Sequence, residues 1–117
     1  MHPAYVAGLF DGEGSCSIRR ETHGGYWLVL TIFNNHKGVL EKIQSQFGGR
    51  IYSDNRNRCY RLNIARTKDM ETFIAAIEPF VEIKAIQLEL AKSFLKETED
   101  QTWHWQEMSR LNHSSWS

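Results

Sequence analysis

Hydrophobic positions change period several times along the chain, and each change marks an element. Residues 3–11 are almost wholly apolar and open on Pro3, which suits a first helical turn; Gly12 and Gly14 then predict its end. Residues 15–21 alternate as a strand does, His23-Gly24-Gly25 reads as a turn, and residues 26–34 are rich in β-branched and aromatic side chains. Period two puts Tyr26, Leu28, Leu30 and Ile32 on one face, with Cys16 and Ile18 as inward counterparts across the hairpin. Ser17, Arg19, Glu21, Trp27, Val29 and Thr31 then point outward.

Helical spacing returns over residues 36–47, where Val39, Leu40, Ile43 and Phe47 share a face before Gly48-Gly49. A second strand pair is expected at residues 50–54 and 58–65 around the polar turn Asn55-Arg56-Asn57. Tyr60, Leu62 and Ile64 face in, and Arg61 and Asn63 face out. Thr67 is placed to cap a helix carrying Met70, Phe73, Ile74 and Ile77 that stops at Pro79. A longer helix is expected over residues 81–96, with Ile83, Ile86, Leu90 and Phe94 as its buried stripe. Residues 97–117 form a tail, polar but for Trp103, Trp105, Met108, Leu111 and Trp116, with room for a short helix. The order α-β-β-α-β-β-α-α, with helices gathered on one face of an antiparallel sheet, is an α+β arrangement in one domain, residues 1–117.

Composition changes this picture in one respect. Overall the chain carries 14 basic and 14 acidic residues. Between residues 15 and 68, however, ten Lys or Arg face three acids, a net +7, while residues 69–117 carry four basic and nine acidic groups, a net −5. Most of the basic excess falls on the two hairpins, whose outer face no helix remains to cover. An uncovered basic sheet can enter the major groove of DNA, although a solvated face without a partner would segregate charge equally well. Candidate contacts on it are Ser17, Arg19, Glu21, Trp27, Thr31, Arg50, Tyr52, Asp54, Arg56, Arg58, Arg61 and Asn63. Two cysteines and five histidines show no metal-ligand spacing. No run of apolar residues approaches a membrane span, and no secretory leader is evident, so an intracellular, soluble protein with reduced thiols is expected.

The chemistry concentrates in the first helix. Ala4, Gly8 and Gly12 recur every four positions, a spacing that lets a second helix approach backbone to backbone. Asp11 and Glu13 sit at the helix C-terminus, the negative end of its dipole, where carboxylates are disfavoured unless something positive compensates. A divalent cation would do so, and hard oxygen ligands suit Mg²⁺; a local acidic turn is the alternative.

The string Val6-Ala7-Gly8-Leu9-Phe10-Asp11-Gly12-Glu13-Gly14 resembles the LAGLIDADG motif at all nine positions. Three further stretches resemble the same homing endonuclease family: Asn34 to Leu40 with Phe47 to Tyr52, then Pro79 to Leu88, then Thr102 to Asn112. The resemblance implies a saddle-shaped antiparallel sheet with helices on one face, as in single-motif members that act as homodimers. It implies Mg²⁺-dependent cutting of both strands of double-stranded DNA at a near-palindromic site. Glu13 falls on the metal-binding acidic position, with glutamate in place of the commoner aspartate, and the Gly12 carbonyl lies beside it. Lys84 falls on the active-site lysine, and Asn34 on a polar position that organises water and metal, with Asn35 one residue away. Ala4, Ala7, Gly8, Asp11 and Gly12 fall on the dimer interface. A catalytically inactive relative that helps intron splicing or regulates transcription would share the fold, but it would be free to lose Glu13 or Lys84.

Overall fold

The computed structural model describes residues 1–54 and 59–114. Its elements run α1 (Pro3–Glu13), β1 (Gly14–Arg20), β2 (Tyr26–Asn34), α2 (Lys37–Phe47), β3 (Arg50–Asp54), β4 (Cys59–Ile64), α3 (Thr67–Ile77), a 3₁₀ turn (Glu78–Phe80), α4 (Ala85–Lys96) and α5 (Thr102–Ser114). The four strands form one antiparallel sheet in the order β1-β2-β4-β3, so the two hairpins meet through β2 and β4. The α+β class, the element order and the antiparallel sheet are those expected.

The inward faces are also as expected. Cys16, Ile18, Leu28, Leu30, Ile32, Leu62 and Ile64 are buried against Val6, Ala7 and Phe10 of α1, Leu40, Ile43 and Phe47 of α2, and Phe73, Ile74 and Ile77 of α3. Phe73 organises this layer, meeting Phe10 and Phe47 edge-to-face at centroid distances of 5.7 and 5.1 Å. Burial of this kind, at about 25 cal/mol per Å² of apolar surface, is the main term holding helices to sheet.

Several boundaries differ from the periodic reading. Helix α1 continues through Gly12 to Glu13, and the chain becomes extended only at Gly14, whose N–H donates to the Phe10 carbonyl. Glycine is required there by crowding: a β-carbon on Gly14 would lie 2.5 Å from the Phe10 ring. Strand β1 ends at Arg20, which leaves Glu21 in the turn, where its backbone pairs with Gly24 and Gly25. Thr67 is the first residue of α3, and no side chain caps that helix. Helix α4 begins at Ala85, four residues later than periodicity places it. Ile83 and Ile86 are 72% and 66% exposed, and the buried stripe consists of Gln87, Leu88, Leu90, Ala91 and Phe94.

Two outward positions are buried as well. Val29 and Thr31 lie mid-strand on β2, opposite Ser17 and Ser15 of β1, and Thr31 also lies opposite Asn63 of β4. Thr31 has strand neighbours on both sides, and its hydroxyl donates to the Asn63 side-chain oxygen at 3.0 Å.

The tail is a substantial helix. α5 packs on α4 and β1, burying Met108 and His104 and half-burying Trp105 and Leu111. Trp105 lies 5.7 Å from the Tyr26 ring, the Tyr26 and Thr102 hydroxyls share a hydrogen bond at 3.0 Å, and the Asn112 amide donates to the Cys16 carbonyl at 2.9 Å. Trp105 thus belongs to the chain's own packing, whereas Trp103 is 57% exposed. Among the described residues no helix is long and apolar enough to cross a membrane.

Candidate functional site

The end of α1 separates its two carboxylates into different environments. Asp11 accepts three backbone N–H groups, from Glu82 at 2.9 Å, Ile83 at 3.1 Å and Lys84 at 3.0 Å. These donors turn the chain into α4 and supply the positive partner that a carboxylate needs at a helix C-terminus, so Asp11 needs no cation. Glu13 is exposed, and among the described residues it has no hydrogen bond or ion pair. The Gly12 carbonyl lies in the last turn, beyond the reach of intrahelical donors. Among the described residues no group of three His, Cys, Asp or Glu side chains could hold a metal within one chain. Glu13 and the Gly12 carbonyl, both hard oxygen donors, fit a divalent cation only as part of a larger set.

Lys84 is half-buried at the start of α4, its backbone held by Asp11. Its charge is felt at Cys16: burial pushes that thiol up to about 12, and the Lys84 ammonium opposes the rise. Asn34 ends β2, and its side-chain oxygen accepts the His36 N–H at 2.8 Å, which closes the turn into α2 and leaves the amide NH₂ for other partners. Because Gly14 pairs with Ile32, the β1 start that follows Glu13 and the β2 end at Asn34 lie at the same end of the sheet. The neighbouring Asn35 is exposed.

Along α1 the small residues Ala4, Gly8 and Gly12 are exposed together with Tyr5, and a β-carbon on either glycine would meet nothing within 4 Å. Ala7, expected on the same surface, faces the chain's own core at 0% exposure beside Val6 and Phe10. The exposed stripe is therefore narrower than the motif suggests.

The sheet face away from the helices carries the other candidates in register. Arg19 pairs with Trp27, and its guanidinium lies 5.7 Å from the indole centroid. Ser17 flanks Val29, while Ser15, Thr31, Asn63 and Arg50 form one row across the four strands. Phe33, Arg61 and Tyr52 form another, with the Arg61 guanidinium 4.8 Å from the Tyr52 ring centroid. Asp54 ends β3 opposite Cys59, and Arg56 and Arg58 lie outside the described residues. A cleft of ≈ 740 Å³ runs from Trp27 and Val29 to Arg50, Tyr52 and Arg66. Phe33 and Arg66 were not among the expected residues of this face. Phe33 falls on it by the same alternation that places Trp27 and Thr31, so period two was sufficient to find it; Arg66 is brought there by the turn between β4 and α3.

The fold has counterparts among known proteins. The family profile described as LAGLIDADG endonuclease matches residues 6–95. No curated protein matches closely enough to count as a relative. Solved structures do match. The homing endonuclease I-CvuI, in complex with its target in the presence of Ca, is 20% identical with a TM-score of 0.69 over 80% of this chain and 65% of that one. An archaeal intron-encoded homing endonuclease, I-Vdi141I, complexed with DNA, is 21% identical with a TM-score of 0.67 over 80% of this chain and 66% of that one. The LAGLIDADG homing endonuclease I-GzeII, in complex with its DNA target, is 21% identical with a TM-score of 0.75 over 93% of this chain and 42% of that one. The chain spans two thirds or less of these proteins' lengths, and α5 lies beyond the profile match.

Proposed function

The chain belongs to the LAGLIDADG endonuclease family, and on that premise we propose that it is a metal-dependent, site-specific endonuclease that cuts double-stranded DNA as a homodimer. The observation that carries the reading is the division of labour at the end of α1. Asp11 is spent on structure, while Glu13 is exposed and, among the described residues, without a partner, beside a stripe of small residues open to a second copy. A two-fold axis along that stripe brings Glu13 together with Glu13 of the partner subunit, two carboxylates that repel unless a cation lies between them.

The Glu13 carboxylate and the Gly12 carbonyl would hold Mg²⁺ or a similar ion, which when bound polarises the scissile phosphate and supplies an activated water. Lys84, whose position Asp11 secures, balances charge accumulating on that phosphate. The Asn34 NH₂, its oxygen already engaged, is left to orient solvent. The open sheet face supplies the DNA contacts: arginines and polar groups to phosphates, and Arg19, Arg61 and Asn63 to base edges. Two-fold symmetry in the protein implies a near-palindromic target.

Cleavage of a randomised duplex library with Mg²⁺, comparing the natural protein with Glu13→Gln, tests this. The exchange keeps side-chain shape and removes the charge that a metal needs. Double-strand breaks at one near-palindromic sequence, with a variant that binds and does not cut, support the endonuclease reading. A library bound but cut by neither protein overturns it in favour of a splicing helper or transcription regulator on the same fold.

A further inference from the structure

We propose that Phe33, with Arg61 beside it, sets a step of the target sequence: Phe33 reads the 5-methyl group of a thymine next to a guanine read by Arg61. The inference rests on the DNA-binding reading above and names a residue which that reading does not use.

Phe33 is a conspicuous occupant of its position. It is 40% exposed near the end of β2, on the sheet face that no helix covers, where alternation elsewhere places Thr31 and Trp27. Its cross-strand neighbour is Arg61, and the neighbour of Arg61 on the far side is Tyr52. The guanidinium rests over the Tyr52 ring at 4.8 Å, which restricts a long, flexible side chain before any ligand arrives. A planar donor fork held in place is the group that pairs bidentately with guanine O6 and N7.

Between these residues the sheet is indented. A cleft of ≈ 190 Å³ is lined by Phe33, Asp54, Cys59, Tyr60 and Arg61. The phenyl ring of β2 and the half-buried Cys59 and Tyr60 of β4 give it apolar surface, and Arg61 and the Asp54 carboxylate give it charge. An apolar wall beside a guanidinium suits a base step that shows a methyl group beside two acceptors, and a thymine adjoining a guanine does this in the major groove. A phosphate contact would need no phenyl ring. Burial in the subunit's own core does not explain the ring either, since the core lies on the opposite face.

Trp27 is the other exposed aromatic on β2 able to meet a thymine methyl. Six residues separate it from Phe33, about 20 Å along the strand, so the two rings address different base pairs.

The experiment uses the full chain and the duplex recovered from the library. Each thymine is replaced in turn by deoxyuridine, which removes only the methyl, and each guanine in turn by 7-deazaguanine, which removes only N7. Binding is measured for the natural protein, Phe33→Ala, Phe33→Leu and Trp27→Ala, with thermal unfolding to establish that each variant is folded. One thymine per half-site is expected to lose about fourfold in affinity on conversion to uracil, the loss expected for one buried methyl, and about fifteenfold when both half-sites are changed. That loss disappears in Phe33→Ala, persists in Trp27→Ala and in part in Phe33→Leu, and falls next to a guanine sensitive to 7-deaza substitution. A duplex bound tightly with no uracil-sensitive position, or with one that Phe33→Ala leaves sensitive, overturns the assignment of Phe33 and leaves the endonuclease reading standing. Failure to bind any duplex overturns both.

Discussion

Removing the Asp11 carboxylate should uncouple α1 from the start of α4. Its two oxygens receive three N–H groups at 2.9–3.1 Å from consecutive residues, 82 to 84. A hydrogen bond to a charged group contributes about 1.5–3 kcal/mol net when both partners are desolvated. Here the donors at 82 and 83 are exposed and the one at 84 is partly buried, so water recovers much of what is lost. A total of about 2 kcal/mol for Asp11→Ala follows, in the upper range for loss of a helix cap. Asp11→Asn retains one acceptor oxygen without the charge and turns an NH₂ toward an N–H group, which should cost about 1–1.5 kcal/mol. For a chain of this size each kcal/mol moves the melting temperature by roughly 4 °C, so the two variants should melt about 8 °C and 5 °C lower. Circular dichroism during thermal unfolding measures this, with Glu13→Gln as the control. Glu13 lies two residues away at the same helix end and carries the same charge, but it has no partner among the described residues. Its removal should shift the midpoint by no more than about 2 °C. An Asp11→Asn midpoint within that margin, or a Glu13→Gln midpoint lowered as far as that of Asp11→Asn, would refute the division of roles between the two acids.

Three further outcomes are expected. Burial holds the His104 imidazole below its ordinary value of 6.5, with Glu97 and Asp100 opposing the shift, and among the described residues only Nε2 has a hydrogen-bond partner, the Ser93 hydroxyl at 2.9 Å. The unfolded chain therefore takes up the proton first. Stability should fall as pH drops below 6.5 and level off once the folded form is also protonated, and His104→Gln should flatten that fall in urea titrations followed by tryptophan fluorescence. Gly14→Ala should destabilise by about 2–3 kcal/mol in chemical denaturation because its β-carbon meets Phe10, whereas Gly8→Leu, which meets nothing within its own chain, should leave the chain folded by circular dichroism while shifting sedimentation toward monomer. Iodoacetamide should label native protein at the half-buried Cys59 and reach Cys16, whose thiol burial pushes up to about 12, only on unfolding; mass spectrometry of digests distinguishes the two.

Much of this protein was legible without coordinates, because the relevant signals are local. Strict alternation in β2 and β4 placed Leu28, Leu30, Ile32, Leu62 and Ile64 inward, since period two leaves a strand only two faces. Helical spacing found α2 and α3, and glycine pairs marked the turns. The motif itself located Glu13, Asp11 and the stripe of small residues.

What escaped depends on contacts far apart in sequence. The start of α4 is set by Asp11, about seventy residues earlier, and periodicity within the helix cannot register that capping. Ile83 and Ile86 read as core by spacing, yet the turn of the chain before α4 leaves them outside. Val29 and Thr31 share a face with Arg19 and Arg61, yet both are buried, and burial depends on neighbours as well as direction. Ala7 belongs to the motif's surface by sequence and to the core by packing. The sequence by itself determined the fold class and the chemical character of the site, because hydrophobic period and residue type are written residue by residue. Only the tertiary structure decided which of the two acids at the end of α1 is held by backbone N–H groups and which outward residues stay exposed, because those outcomes depend on what another part of the chain brings alongside.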